Sequence, residues 1–438
     1  MSSTQATFNP LANSRNRLGL TTFETGVLFW LSSAVLFLVL VANQTHIETI
    51  DQIKLAPRLE LLIRLAGTGM AGLIGIYGFL CMRRVQLAMF SFPGIWVTGI
   101  ALCYLLSTAF SEHKAEALPH LMTFSCIFLF APTAFAIMGT RRFVEITILA
   151  LLTSLLASWF LYLFMPEYGV QLEITDGDTG EGVLRMGGTS HPNTLAGVAG
   201  FLLMIICYLF FEKRISFLVW APIVALCLAT YVYTQTRVAS VAAILSILFA
   251  YRMFWVKRKA WPLTFTMIVL SSIGLIWVAL GGASGFAAES LTRSGDVNEI
   301  TSFTGRSDIW EFVIKKIGQS PVVGYGPGVP KLLLDQQGLL LHSHNVVLQQ
   351  AFTAGVFAGI FAVMMLLNQL AISLTSKAKI AVMITLFVFM NSLTESFVFD
   401  YVPGTSTVLW LAALYWPVLD DGTLNAYDED EPTESTEE

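Results

Sequence analysis

The chain has little charge. Asp, Glu, Lys and Arg make up 13% of its 438 residues, about half the roughly 25% of a soluble domain, whereas 55% are hydrophobic. That scarcity excludes a water-soluble globular protein and predicts an integral membrane protein. The chain also lacks paired cysteines. Cys81, Cys103, Cys126, Cys207 and Cys227 lie in apolar runs without CxxC spacing, which leaves them as core residues and excludes a disulfide framework or a thiolate metal cage. No internal repeat is visible. No cleavable signal peptide is expected, because the polar first twenty residues lead into a full-length span.

Long apolar runs are what the chain does have. Runs able to span a bilayer, at roughly 17 to 25 residues each, fall near 25–43, 61–81, 88–110, 117–138, 143–165, 193–211, 215–234, 236–254, 262–283, 345–369, 380–397 and 404–419. The expected fold is therefore all-α, with about twelve transmembrane helices. Basic residues recur in alternate loops: Arg15 and Arg17, Arg83 and Arg84, Arg141 and Arg142, Lys213 and Arg214, Arg252 with Lys257 to Lys259, and Lys377 and Lys379. By the positive-inside rule those loops and both termini face the cytoplasm. The organisation read from this pattern is a cytoplasmic N-terminus (1–24), a polytopic membrane domain (25–419) and an acidic tail (420–438). Two long loops, 166–192 and 284–344, face the opposite side, and the second should contain short helices.

The net charge of −5 reflects the tail. Its 19 residues hold nine acids and no Lys or Arg; setting those nine aside from the chain's 30 leaves 21 acidic against 25 basic residues. Such a segment reads as solvated and disordered, and nucleic acid is not expected as a partner.

Polar chemistry gathers at the outer face in four stretches. In "EITDGDTGEGVLRMGGTSHPNTLAG" (173–197), His191, Pro192 and Asn193 precede a helix, and Pro in a first turn marks a start. Capping and turn glycines account for this stretch, except that Arg185 could hold an anionic group against exposed backbone N–H groups. In "TYVYTQTRVASVAAIL" (230–245), Arg237 joins two helices with almost no loop; either it snorkels or it faces an aqueous cavity. In "TSFTGRSDIWEFVIKKIGQSPVVGYGPG" (301–328), Asp308 and Glu311 form a capping-box pattern ahead of an apolar stripe of Ile309, Val313 and Ile317. That pattern predicts a short amphipathic helix on the membrane or on the bundle, with Arg306 just before it. In "LHSHNVVLQQAFTAGVFAGIF" (341–361), His342, His344 and Asn345 stand before a span. Two imidazoles alone are short of ligands for zinc, which takes three or four from the protein, so no metal is expected. A general base or a helix cap remains.

Arginine is permanently charged and grips phosphate oxygens bidentately. Three arginines and a histidine on one membrane face thus suggest a lipid-anchored diphosphate as leaving group, with the imidazole taking a proton from an attacking hydroxyl.

The residues carry a resemblance as well. "TQTR" opening an outer-face helix, "TGRSDIW" followed by "PVVGYGPG", and "HSHN" before a late span resemble the O-antigen ligase and O-antigen polymerase (Wzy-type) superfamily of bacterial inner-membrane glycosyltransferases, across essentially the whole chain. His344 and Asn345, followed after nine residues by Gly355, fit the family's His-[Asn/Ser/Gln] signature, whereas His342 in the same frame meets Thr353. The resemblance implies a GT-C-type bundle in the inner membrane with a periplasmic site, His344 as general base, and Arg237 and Arg306 as catalytic arginines. Arg185, His191, Asn193, His342 and Asn345 are the implied substrate-binding residues. It also implies metal-independent, inverting transfer of a glycan from undecaprenyl diphosphate to a sugar hydroxyl, without a cofactor. The acceptor is a lipid-linked repeat unit in a polymerase or lipid A core in a ligase. The "HPN" loop is more similar to O-antigen and exopolysaccharide polymerases. Ala358 and Gly359 depart from the ligase pattern of a stricter Gly-x-x-Gly run. Twelve spans also suit a secondary transporter, but transporters place ionisable groups near the midplane, where this chain is almost free of charge. A membrane scaffold is the non-enzymatic alternative.

Overall fold

The computed structural model describes residues 22–42, 58–174, 182–255, 306–339, 342–393, 395–396, 399 and 403–420. It is 83% helical. The first part of the chain forms α1 (Thr22–Ala42), α2 (Arg58–Cys81), α3 (Arg83–Met89), α4 (Phe92–Phe110), α5 (Lys114–Phe164) and α6 (Pro166–Gly169). A hairpin of β1 (Val170–Ile174) and β2 (Gly182–Met186) then leads to α7 (Pro192–Phe211), α8 (Phe217–Thr234) and α9 (Arg237–Trp255). The described remainder is α10 (Arg306–Gln319), α11 (Val329–Asp335), α12 (Val346–Ala354), α13 (Val356–Thr375), α14 (Lys379–Ser392) and α15 (Thr405–Leu419).

Among the described residues seven helices are long and apolar enough to cross a membrane: Leu62–Cys81 of α2, and α4, α5, α7, α8, α9 and α13. Gly26–Ala42, α14 and α15 are shorter apolar helices. The expectation of about twelve spans is modified in three places. The 117–138 and 143–165 runs are two helices, together labelled α5, that meet at a kink at Gly139 (φ 72°, ψ 168°) in place of a longer loop. The 345–369 run is cut at Gly355 into α12 and α13, and the 380–397 run stops at Ser392. The 262–283 run, the loop around 284–305 and the tail beyond 420 lie outside the described residues. The 166–192 loop contains the antiparallel hairpin, which pairs Arg185 with Gln171.

Large apolar side chains line the outside of the helices, among them Leu62, Leu65, Leu73 and Leu80 on α2 and Phe217 and Leu218 on α8. A water-soluble protein would hide so continuous an apolar exterior; lipid accepts it. Inside, helices approach closely through small residues. Gly72, Gly75 and Gly78 of α2 lie directly against Cys126, Leu129 and Thr133 of α5, the packing favoured where lipid supplies no hydrophobic drive. At the centre, the apolar window of α7 is 78% buried against 22% for α8. Helix α7 contacts α5, α8, α9 and α14, and its N-terminal end carries the HPN stretch.

The break at Gly355 shapes the end of the bundle that carries the histidine loop. Gly355 has φ 85°, and the "PVVGYGPG" turn enters the break: Val356 N–H donates to Pro321 O (2.7 Å), and Tyr325 and Gly326 N–H donate to Thr353 O (3.1 and 2.9 Å). Helix α10 packs on α12 through Ile309, Val313 and Phe352, with Leu334 of α11 in the same cluster. The amphipathic helix expected from the sequence therefore rests on the bundle. It already includes Asp308, which is thus not its N-cap.

A Cβ at Gly355 would collide with the Val322 carbonyl and occupy a left-handed backbone. Gly355→Ala is expected to destabilise the fold by at least about 1–2 kcal/mol from backbone strain alone. The check is the melting temperature of the purified protein in detergent; an unchanged value would refute this account of the break.

Candidate active site

The site is built from the ends of elements far apart in sequence. His191 is the N-cap of α7, its Nδ1 accepting the Asn193 N–H (3.2 Å), and Pro192 fills the first turn as expected. That geometry fixes Asn193 facing inward. Arg185, from β2, turns its guanidinium into the protein and is only 1% exposed. Its Nε donates to Thr234 O (2.7 Å), and its Nη2 donates to Asn193 Oδ1 and Thr236 Oγ1 (2.8 Å each). Thr234 closes α8, where unpaired carbonyls and the helix dipole favour a cation. The sequence suggests Arg185 as an anion holder in a glycine loop. In the structure it faces inward and organises Asn193 and the α8–α9 junction.

Asn193 passes the connection on. Its Nδ2 donates to Glu395 Oε1 (3.3 Å), and the other carboxylate oxygen, Oε2, lies 2.9 Å from His344 Nδ1. An ionised carboxylate only accepts, so in this pairing Nδ1 carries the proton and Nε2 keeps its lone pair. His344 is 7% exposed, and its Nε2 is buried without a hydrogen-bond partner among the described residues. The His342 ring stands edge-on against it, 4.1 Å between centroids.

The HSHN stretch is held on both sides. Trp310 of α10 donates its indole N–H to Ser343 O (2.8 Å), and Ser343 N–H donates to Gln349 Oε1 (3.1 Å). Asn345 caps α12 by accepting from Leu348 N–H (3.1 Å) and donates to Leu393 O at the end of α14 (3.1 Å). Both faces of its amide are thus used in holding the loop. His344 has φ 51°, a left-handed conformation unfavourable for residues other than glycine, and Gln235, two residues before Arg237, has the same value. Only Lys213 joins them among described non-glycine residues with positive φ, so two of the three strained positions border this site. Nearby, burial and then the charge of Glu112 push the Tyr325 phenol up; it stays protonated and donates to Lys316 O (3.1 Å).

Arg237 opens α9, half-buried, directly after Thr236, and α9 packs along α14. Arg306 is the first described residue of α10, four positions before Trp310. The structure joins Arg185, His191, Asn193, His342, His344 and Asn345 into one connected group. Arg237 lies at its border, and α10, whose described stretch starts at Arg306, touches it through Trp310. Glu395 was absent from the candidates read from the sequence. Its signal was present, an acid just beyond an apolar run in "NSLTESF", but only the fold shows which side chain it meets. Thr234 and Thr236, within "YTQTR", were likewise silent until Arg185 was placed beside them.

These features define a multi-pass membrane protein with a polar, charge-bearing site where several helix ends meet. Residues 222–363 match a family model described as O-antigen ligase, which supports the O-antigen ligase and polymerase superfamily for this chain. The matched segment contains Arg237, Arg306, His342, His344 and Asn345, whereas Arg185, Asn193 and Glu395 lie outside it. No curated protein matches the chain.

Arg185→Lys keeps the charge but loses the fork that serves Thr234, Asn193 and Thr236 together. Because hydrogen bonds to charged groups contribute roughly 1.5–3 kcal/mol, the variant is expected to melt several degrees lower in detergent. An unchanged midpoint would show that this cluster adds nothing to stability.

Proposed function

We propose that the protein is a membrane glycosyltransferase of the bacterial inner membrane, with both termini cytoplasmic and its site facing the periplasm. It transfers a glycan from undecaprenyl diphosphate to a sugar hydroxyl and so polymerises O-antigen or exopolysaccharide repeat units. The observation that carries this reading is the His344 Nδ1–Glu395 Oε2 pair (2.9 Å), a base held by a carboxylate as in other activated-nucleophile sites.

The chemistry follows from that pair. Glu395 holds the imidazole with its Nδ1 proton inward, and Nε2 takes the proton of the acceptor hydroxyl. The hydroxyl oxygen forms a bond to the anomeric carbon as the bond from that carbon to the diphosphate oxygen breaks. Attack from the opposite face inverts the centre. Arg237 and Arg306 neutralise the charge growing on the departing lipid diphosphate, and the route needs no metal. Asn193 and Arg185 act on Glu395 as positioning residues. The His191–Pro192–Asn193 loop supports polymerisation. The matched family description favours the second reading, a ligase that joins the finished chain to lipid A core.

His344→Asn is expected to lower transfer by on the order of 10²-fold or more while the protein stays folded and inserted. Arg237→Lys should also be damaging, since a point charge does not reproduce a bidentate fork. Glycan assays in membranes carrying each variant check both, and near-wild-type transfer by His344→Asn would remove His344 from the base role. In a strain lacking the gene, single repeats on lipid A core mark a polymerase, whereas long chains left on the lipid carrier mark a ligase.

A further inference from the structure

The sequence argues against a metal because two imidazoles are too few ligands. The fold supplies a third. His342, His344 and Glu395 each present a ligating atom, and these three atoms lie within 4.8 Å of one another. A zinc ion with bonds of about 2.0–2.2 Å sets its ligands roughly 3.5 Å apart, so adjustments on the order of 1 Å within the HSHN loop close the shell. One edge is already short, at 2.9 Å between His344 Nδ1 and Glu395 Oε2. The remaining imidazole nitrogen of His344, Nε2, is buried and without a partner among the described residues, a second lone-pair position that protein groups do not occupy.

We propose that His342, His344 and Glu395 form a binding site for a transition-metal dication of the zinc class, and that occupancy inhibits the protein. Two imidazoles and one carboxylate suit zinc, nickel or copper and are poor for magnesium or calcium, which prefer oxygen ligands. Three protein ligands leave a fourth position for water. An ion bound at His344 Nδ1 displaces the proton held there against Glu395; the neutral imidazole then carries its proton on Nε2 and has no lone pair left for base action. The inhibitory consequence rests on His344 being the base; the binding site does not.

The test uses the full-length protein in detergent, purified without a polyhistidine tag and stripped with chelator. Titration with Co²⁺ should develop a visible ligand-field band that saturates at one ion per chain, and Zn²⁺ should abolish it while Mg²⁺ should not. His342→Ala and Glu395→Gln, each shown by its melting curve to be folded, should bind Zn²⁺ at least about tenfold more weakly, in line with what neighbouring ligands contribute to metal affinity. Should either variant fail to fold, His342→Gln replaces it. Absence of a band, or affinity unchanged in all the folded variants, would overturn the site. Glycan assembly in membrane vesicles should fall with added Zn²⁺ and recover with chelator. Assembly lost on chelation would overturn the inhibitory role, because the ion would then serve the reaction. The cobalt titration requires no transfer activity, so failure of the glycosyltransferase reading leaves its result intact and separable.

Discussion

A buried guanidinium must find acceptors, and much of this end of the bundle follows from how Arg185 finds them. Its charge lies out of reach of water, where an unpaired ion is costly. The last carbonyl of α8, the Thr236 hydroxyl and the Asn193 amide satisfy it. This fixes the α8–α9 junction that presents Arg237 and directs the other end of the Asn193 amide toward Glu395. Through Glu395 the same constraint reaches His344. The orientation of the imidazole is thus set by a chain of polar contacts that begins with a cation on a β-strand. In a low-dielectric rim such networks hold one geometry when every member is satisfied.

The second constraint is mechanical. The break at Gly355 keeps α12 out of line with α13 and lets the "PVVGYGPG" turn enter, so the histidine loop sits on a short helix braced by α10 and α11. Positive φ at His344 and Gln235 shows that the backbone on both sides of the site is held away from its local preference by packing around it. Rigid support of this kind is what the proposed base role of His344 requires, because a small misplacement costs more rate than a weak contact would.

The elements were largely legible in the sequence; their junctions were less so. Apolar runs marked the membrane helices because composition alone carries that signal. The two helices of α5 were legible but not the brevity of their connection, since Gly139 with Arg141 and Arg142 after it reads as a loop, yet one residue suffices for the change of direction. Gly355 was noted as part of a signature, but its role as a break depends on the Val322 carbonyl, 33 positions away in the chain. At the site, His344, Arg237 and Arg306 stood out because charge beside hydrocarbon is rare. Glu395 did not, because an acid at a helix end has many solvated explanations and its value lies in meeting an imidazole. Arg185 was noticed for its charge and assigned to ligand, whereas burial turned it toward the protein.

Asn193 and Glu395 meet across 202 residues of chain. Arg185, Asn193 and Arg237 emerge from the ribosome well before the loop bearing His344, and Glu395 follows later still, beyond α14. A nascent chain therefore inserts Arg185 and Asn193 while the carboxylate that Asn193 meets is still untranslated. Competence arrives late and all at once, when the penultimate described helix docks.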